Sequence, residues 1–197
     1  MIDDCTAIIL AGGDSQRMGS DKANLLLDGR SLLQSVTATM QQIFPEVVAS
    51  VRQHRPEFEL PQVCDAPSYA GPLAGLLAGL GHITTAWAFA VACDMPFVVP
   101  EVIELLAKRR AGRQAVVPVV QGYPQPLAAF YARDCREVIR AHLDSGGKNS
   151  LQAVLGRLDV CYVDEAEMLA ADPGLRSFFD LDTPQDVVRA KREMRIR

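Results

Sequence analysis

The chain has 197 residues, 49% of them hydrophobic and 22% charged, enough for one domain with a core of its own. Its net charge of −4 disfavours a general nucleic-acid-binding role. No apolar run reaches the ~18 residues needed to cross a bilayer, so no membrane partner is expected either. Five widely spaced cysteines, with no C-x-x-C pair, argue against a zinc knuckle or a dithiol redox motif and fit reduced thiols. The acidic stretch Met1-Ile2-Asp3-Asp4 lacks the basic start of a signal peptide. A cytoplasmic protein with a single domain over 1–197 is expected.

Taken in chain order, residues 5–10 are continuously apolar, as in a strand covered on both faces. Asp28-Gly29 marks a turn, and Ser31 can cap a helix to about Phe44 with Leu32, Leu33, Val36 and Met40 on one side. Residues 46–51 and 62–64 read as strands, the latter ending at Asp65. Residues 72–80 form a small-residue helix in which Gly75 and Gly79 permit close packing. Residues 87–93 are the most apolar strand, central in the sheet and ending at Asp94. Pro100 starts a helix to about Arg109. Strands at 115–120 and 127–131 flank the turn Gly122-Tyr123-Pro124 and are expected to be antiparallel. Helices follow at 134–143 and 150–158, then strands at 160–163 and 178–181, and Thr183-Pro184 opens a last helix to about Met194. Strands and helices alternate through the first 110 residues. This predicts a Rossmann-like three-layer α/β/α fold with a mostly parallel central sheet.

In such sheets ligands bind beyond the carboxyl ends of the strands. Three polar features fall there: the loop AGGDSQRMGSDK (11–22), Asp65 and Asp94. The loop exceeds the roughly 2–6 residues of an ordinary strand-to-helix connection. Its glycines, Gly12 and Gly13 first, allow backbone amides to approach phosphate oxygens, while Arg17 adds a planar fork and Lys22 a mobile point charge. It matches neither G-x-x-x-x-G-K-[ST] nor G-x-G-x-x-G. The residue types alone leave open a triphosphate cradle or a solvated loop.

Asp94 suits Mg²⁺, which takes a few hard oxygens and shares its shell with phosphates and water; it equally suits a turn cap before Pro96. Asp65 has the same two readings. Asp180 and Asp182 would share one face of a strand, with Asp182 able to join Asp94 at the metal or merely to cap the last helix. Lys148 and Asn149 in SGGKNSL (145–151) could reach an acceptor phosphate, or the segment could simply cap a helix with Asn149 or Ser150. His54, His82 and His142 are isolated and read as surface or packing residues. Lys191, Arg192, Arg195 and Arg197 complement a helix dipole and take no binding role.

The stretch LAGGDSQRMGSDKANLLLDGRSLL (10–33) resembles the signature loop of GT-A-like nucleotidyltransferases. With DAPSYAGPLAGLLAGL (65–80), ACDMPFVVPEV (92–102), QPLAAFY (125–131) and FFDLDTPQD (178–186), the chain most resembles the molybdenum cofactor guanylyltransferase family over nearly its whole length. The resemblance implies transfer of GMP from GTP to molybdopterin or Mo-molybdopterin, with Mg²⁺ as cofactor and molybdoenzyme-maturation proteins as candidate recipients of the product. It implies that the backbone of Leu10, Ala11 and Gly12 meets the guanine and the start of the nucleotide. Lys22 would contact phosphates, Asp65 would lie near the nucleotide and Asp94 would hold the metal. Arg17, Lys22 and Asp94 are then the expected catalytic residues, with Gly13 in the cradle and Asp182 a candidate second metal ligand. Some members carry an Asn on the second strand near Ala49, which cannot replace it; Ser50 points the other way. A CTP-dependent cytidylyltransferase, a sugar-1-phosphate nucleotidyltransferase and a non-catalytic nucleotide-binding module are the alternatives.

Overall fold

The computed structural model describes residues 1–12, 22–66, 68–181 and 183–194, the side chains of 22, 184 and 192–194 excepted. Strand β1 (Cys5–Leu10) leads through a small hairpin, β2 (Leu26–Leu27) and β3 (Arg30–Ser31), into helix α1 (Leu32–Ile43) and strand β4 (Glu46–Val51). The hairpin turns on Asp28 and Gly29, with φ of 52° and 80°, the double left-handed conformation of a tight hairpin. Then come β5 (Gln62–Cys64), α2 (Pro72–His82), β6 (Trp87–Ala92), α3 (Pro100–Ala107), β7 (Ala115–Val120), β8 (Tyr123–Pro124), β9 (Ala128–Ala132) and α4 (Cys135–Asp144). The chain continues through α5 (Leu151–Leu155), β10 (Val160–Val163), α6 (Glu165–Ala171) and α7 (Pro184–Met194).

The main sheet runs β10-β7-β9-β6-β1-β4-β5, with β8 on β7. β1 pairs in parallel with β4 and β6, β4 with β5, and β7 with β10; β9 runs antiparallel between β6 and β7. β6 is therefore central, and the carboxyl ends of β1, β4, β5 and β6 share one edge. The expected mostly parallel α/β architecture is the observed one. No helix among the described residues is long and apolar enough to cross a membrane.

Alternation along the strands builds two cores. Cys5, Ala7 and Ile9 of β1 face one way with Ala49, Phe89 and Phe130, under α1 and α3. Ile8 and Leu10 face the other way with Ala88, Ala90 and Tyr131, under α2 and α4. Phe44, Phe89 and Phe130 form an aromatic cluster, with centroids 4.9–6.3 Å apart. On the opposite face α2 lies almost on the sheet. A Cβ on Gly79 would come 2.7 Å from Ile8 Cδ1, and one on Gly75 2.6 Å from Leu10 Cδ2. These two glycines are thus required by packing.

Three local readings need correction. The segment expected as a strand at 178–181 is instead a 3₁₀ turn (Arg176–Phe178) followed by irregular chain. The Phe178 and Phe179 amides are spent within that turn, on Leu175 and Arg176 carbonyls, so they cannot enter a ladder. Helix α6 was not expected; Asp164 caps it by accepting from the Glu167 amide at 3.0 Å, a signal present in Asp164-Glu165-Ala166-Glu167. Last, the turn after β7 is made by Gln121 and Gly122 (φ 52° and 78°), while Tyr123 and Pro124 pair back onto Val119 and Val120.

Candidate active site

The parallel register brings four strand ends together by backbone bonds. Ala11 N–H donates to the Ser50 carbonyl at 2.8 Å, Cys93 N–H to the Leu10 carbonyl at 3.1 Å, and Asp65 N–H to the Val51 carbonyl at 3.1 Å. Leu10, Ala11, Gly12, Asp65 and Asp94 therefore converge, as expected. The same bonds show that the sheet itself uses the Leu10 carbonyl and the Ala11 amide. Gly12 passes close to the next strand end: a Cβ there would lie 3.2 Å from the Arg52 backbone nitrogen. Gly13, Arg17 and Asp182 lie outside the described residues, as does the Lys22 side chain. The Lys22 backbone opens a 3₁₀ turn (Lys22–Asn24), and Ala23 beside it is buried in the α1-side core. The far end of the 11–22 loop is thereby fastened to the body.

Asp65 is half-buried and accepts from the Ser50 hydroxyl at 3.3 Å. Burial pushes its carboxyl above the usual carboxylate range, against the opposing pull of Ser50 and the Arg52 charge. A Cβ on Gly75 would also meet Ser50 Oγ at 2.9 Å and Asp65 Oδ1 at 3.6 Å, so α2's glycine leaves the room in which this pair sits. Ala49 turns into the α1-side core. The neighbour that points the other way, Ser50, points to Asp65. Sequence reasoning set Ser50 aside because its position opposes Ala49's, yet that is the face the carboxylate occupies. A cavity of about 420 Å³ opens here, lined by Arg52, Gln53, Asp65, Ser68, Tyr69 and Ala70, a size suited to a small-molecule ligand.

Asp94 is partly exposed at the end of central β6. Its carbonyl accepts from Leu181 N–H at 3.0 Å, which fixes the C-terminal segment beside it. Phe97 stacks on Phe179 (centroids 6.4 Å apart), and Arg176 and Arg189 cover the two rings, each 4.8 Å from a centroid. Among the described residues no group of three or more His, Cys, Asp or Glu could by itself hold a metal. Mg²⁺ does not need one: it is held through one or two carboxylates, with phosphate oxygens and water completing its shell. A partly exposed aspartate at a strand end fits that demand.

Loop 145–151 reaches the same region. Asn149 Nδ2 donates to the Ala70 carbonyl, and Tyr69 donates to the Asp144 carboxylate. Ser150 caps α5, accepting from Ala153 N–H at 3.2 Å. The capping role and the approach to the 65–71 segment are both present, on adjacent residues.

Residues 7–161 match the family model of the MobA-like NTP transferase domain. A molybdenum cofactor guanylyltransferase from Desulfosudis oleivorans is 34% identical over 194 residues, covering 96% of each chain. A probable molybdenum cofactor guanylyltransferase from Pelotomaculum thermopropionicum is 33% identical, covering 94% of this chain and 91% of that one. The crystal structure of molybdopterin-guanine dinucleotide biosynthesis protein A from Archaeoglobus fulgidus superposes with a TM-score of 0.86 at 29% identity, over 98% of this chain and all of that one. Sequence, fold and strand-end site agree, and the chain belongs to the MobA-like NTP transferase family, as a nucleotidyltransferase.

Proposed function

We propose that this nucleotidyltransferase moves GMP from GTP to molybdopterin or Mo-molybdopterin. The observation that carries the reading is the convergence of Leu10, Ala11, Gly12, Asp65 and Asp94 on one sheet edge beside a cavity of nucleotide scale. An oxygen of the acceptor's terminal phosphate attacks the α-phosphorus of GTP. The bond from that phosphorus to the bridging oxygen breaks, and pyrophosphate leaves. The attacking phosphate is already anionic, so no general base is needed. The protein's work is positioning and charge neutralisation.

In this reading the backbone of Leu10, Ala11, Gly12 and Gly13 meets the nucleotide, Arg17 and Lys22 hold the phosphates, and Asp65, steadied by Ser50 and Arg52, borders the nucleoside. Asp94, with Asp182 as a second candidate, holds Mg²⁺, which when bound neutralises phosphate charge. Cys93 N–H takes one of the two lone pairs of the Leu10 carbonyl, so base reading falls to the backbone of Leu10, Ala11 and Gly12 together with groups around Asp65. A purine N1–H donor finds acceptors there; adenine, which lacks that donor, would leave one unpaired at about 1–3 kcal/mol.

The test supplies molybdopterin with equal GTP, CTP and ATP and identifies the dinucleotide by mass, with pyrophosphate measured in parallel. A guanine dinucleotide with stoichiometric pyrophosphate is expected. A cytosine dinucleotide would overturn the guanylyl assignment and leave nucleotidyl transfer standing. Turnover only with a sugar 1-phosphate would replace the acceptor.

A further inference from the structure

Helix α4 ends in a polar knot that the proposed transfer does not use. His142 is only 4% exposed. Its Nε2 lies 2.8 Å from the Lys148 carbonyl, which can only accept, so Nε2 carries the proton. Its Nδ1 has no partner among the described residues. The Gly147 amide donates back to the His142 carbonyl at 3.0 Å, and Ser145 Oγ to the same carbonyl at 2.9 Å. A Cβ on Gly147 would come 2.5–2.7 Å from three ring atoms, so the loop backbone lies directly on the imidazole. An apolar side chain of that size would avoid the unpaired Nδ1. What the imidazole adds is a donor aimed at the loop.

That loop bridges to the cavity at both ends. Asn149 Nδ2 donates to the Ala70 carbonyl, and the Tyr69 hydroxyl donates to Asp144. The bond to Asp144 holds the Tyr69 hydroxyl above its ordinary pKa. Tyr69 and Ala70 line the cavity that contains Asp65.

We infer that His142 is a positioning residue: by holding loop 144–149 it sets the outer cavity wall, residues 68–70, against which the nucleotide is bound. The inference rests on the reading that this cavity receives the nucleotide. It has a consequence that a merely structural histidine lacks. Loosening the ring contact acts at a distance, through Asn149 on Ala70, and changes nucleotide binding more than the chemical step.

The experiment compares His142→Leu, His142→Gln, Asn149→Ala and the His142→Leu/Asn149→Ala double variant in the full chain. Amide hydrogen exchange is followed at residues 68–71 without ligand. GTP affinity is measured by calorimetry, and turnover is measured separately. His142→Leu and Asn149→Ala are each expected to speed exchange at 68–71 on the order of tenfold. Each should raise the KM and Kd for GTP about five- to tenfold, with kcat within about twofold. Gln, which retains a side-chain N–H, should restore most of the affinity. Because both residues act along one path, the double variant should match the larger single effect rather than the sum. Asn149 is exposed, so Asn149→Ala decides the matter should His142→Leu fail to fold. Unchanged exchange at 68–71, or additive effects, would overturn the inference. Should the unmodified protein bind no GTP, the proposed function fails, while exchange at 68–71 still judges the clasp.

Discussion

Asp94 ends the central strand, and its carbonyl is tied to Leu181. Asp94→Asn preserves that backbone bond and removes only the charge, so the variant should fold normally and lose turnover on the order of a hundredfold or more. Titration of Mg²⁺ against turnover in the two proteins checks this; equal curves would place the metal elsewhere. Lys22 follows the loop whose far end Ala23 anchors. Lys22→Ala should weaken GTP binding by roughly 1.5–3 kcal/mol, with Lys191→Ala, on the exposed side of α7, as the neutral control; calorimetry with GTP reads both. Asp65 makes a prediction about stability. Its folded pKa is raised, chiefly by burial, so above that value the ionised carboxylate penalises the folded state. As pH falls through the raised value the folded protein takes up the proton first and gains stability relative to the unfolded chain, until the ordinary value is passed. Asp65→Asn should therefore raise Tm at pH 7, and its advantage should shrink as pH falls from the raised value to the ordinary carboxylate pKa and level off below it. Thermal melts at several pH values would show a constant difference if burial were not the cause.

At the scale of elements, local signals decided most boundaries. Ser31 Oγ accepts from Gln34 N–H at 3.1 Å and Gln34 Oε1 from Ser31 N–H at 2.9 Å, a reciprocal cap on α1. Ser31→Ala removes half of it and should cost about 1 kcal/mol, measured as a lower urea midpoint with unchanged slope. The strands at 5–10, 46–51, 62–64 and 160–163 were legible because apolar runs bounded by turn residues leave little choice. Helix α6 carries a legible Asp164 cap, but two of its seven residues are acidic, Glu165 and Glu167, and Met168 is its one buried side chain. A weak apolar stripe hid a good cap. The error at 178–181 has the opposite cause. Phe178, Phe179 and Leu181 look like a strand, yet Leu175 at φ 48° starts a turn that consumes the amides a ladder would need.

Over the whole molecule, the C-terminal segment closes the site. Leu181 is fully buried with Leu27, Leu32, Val187 and Ala190, so one side chain joins α7, the β2–β3 hairpin and the start of α1 beside Asp94. Leu181→Ala should cost about 2–5 kcal/mol and also raise the Mg²⁺ concentration needed for half-maximal turnover, because the Asp94 backbone loses its fixed neighbour. A stability loss with an unchanged Mg²⁺ requirement would show that the segment is only packing. By itself the sequence determined the α/β class, the seven strands along the main sheet's path, the close-packing glycines Gly75 and Gly79, and the candidacy of Asp65 and Asp94. Apolar period, caps and strand-end polarity are local properties that neighbouring residues impose. Only the tertiary structure decided that Ser50 rather than Ala49 serves Asp65, that the Leu10 carbonyl takes the Cys93 amide, and that Asn149 reaches the cavity wall at Ala70. Each of these depends on which strand lies beside which and on which face a register turns outward. Those are contacts between residues up to 79 apart in the chain, and no local pattern encodes them.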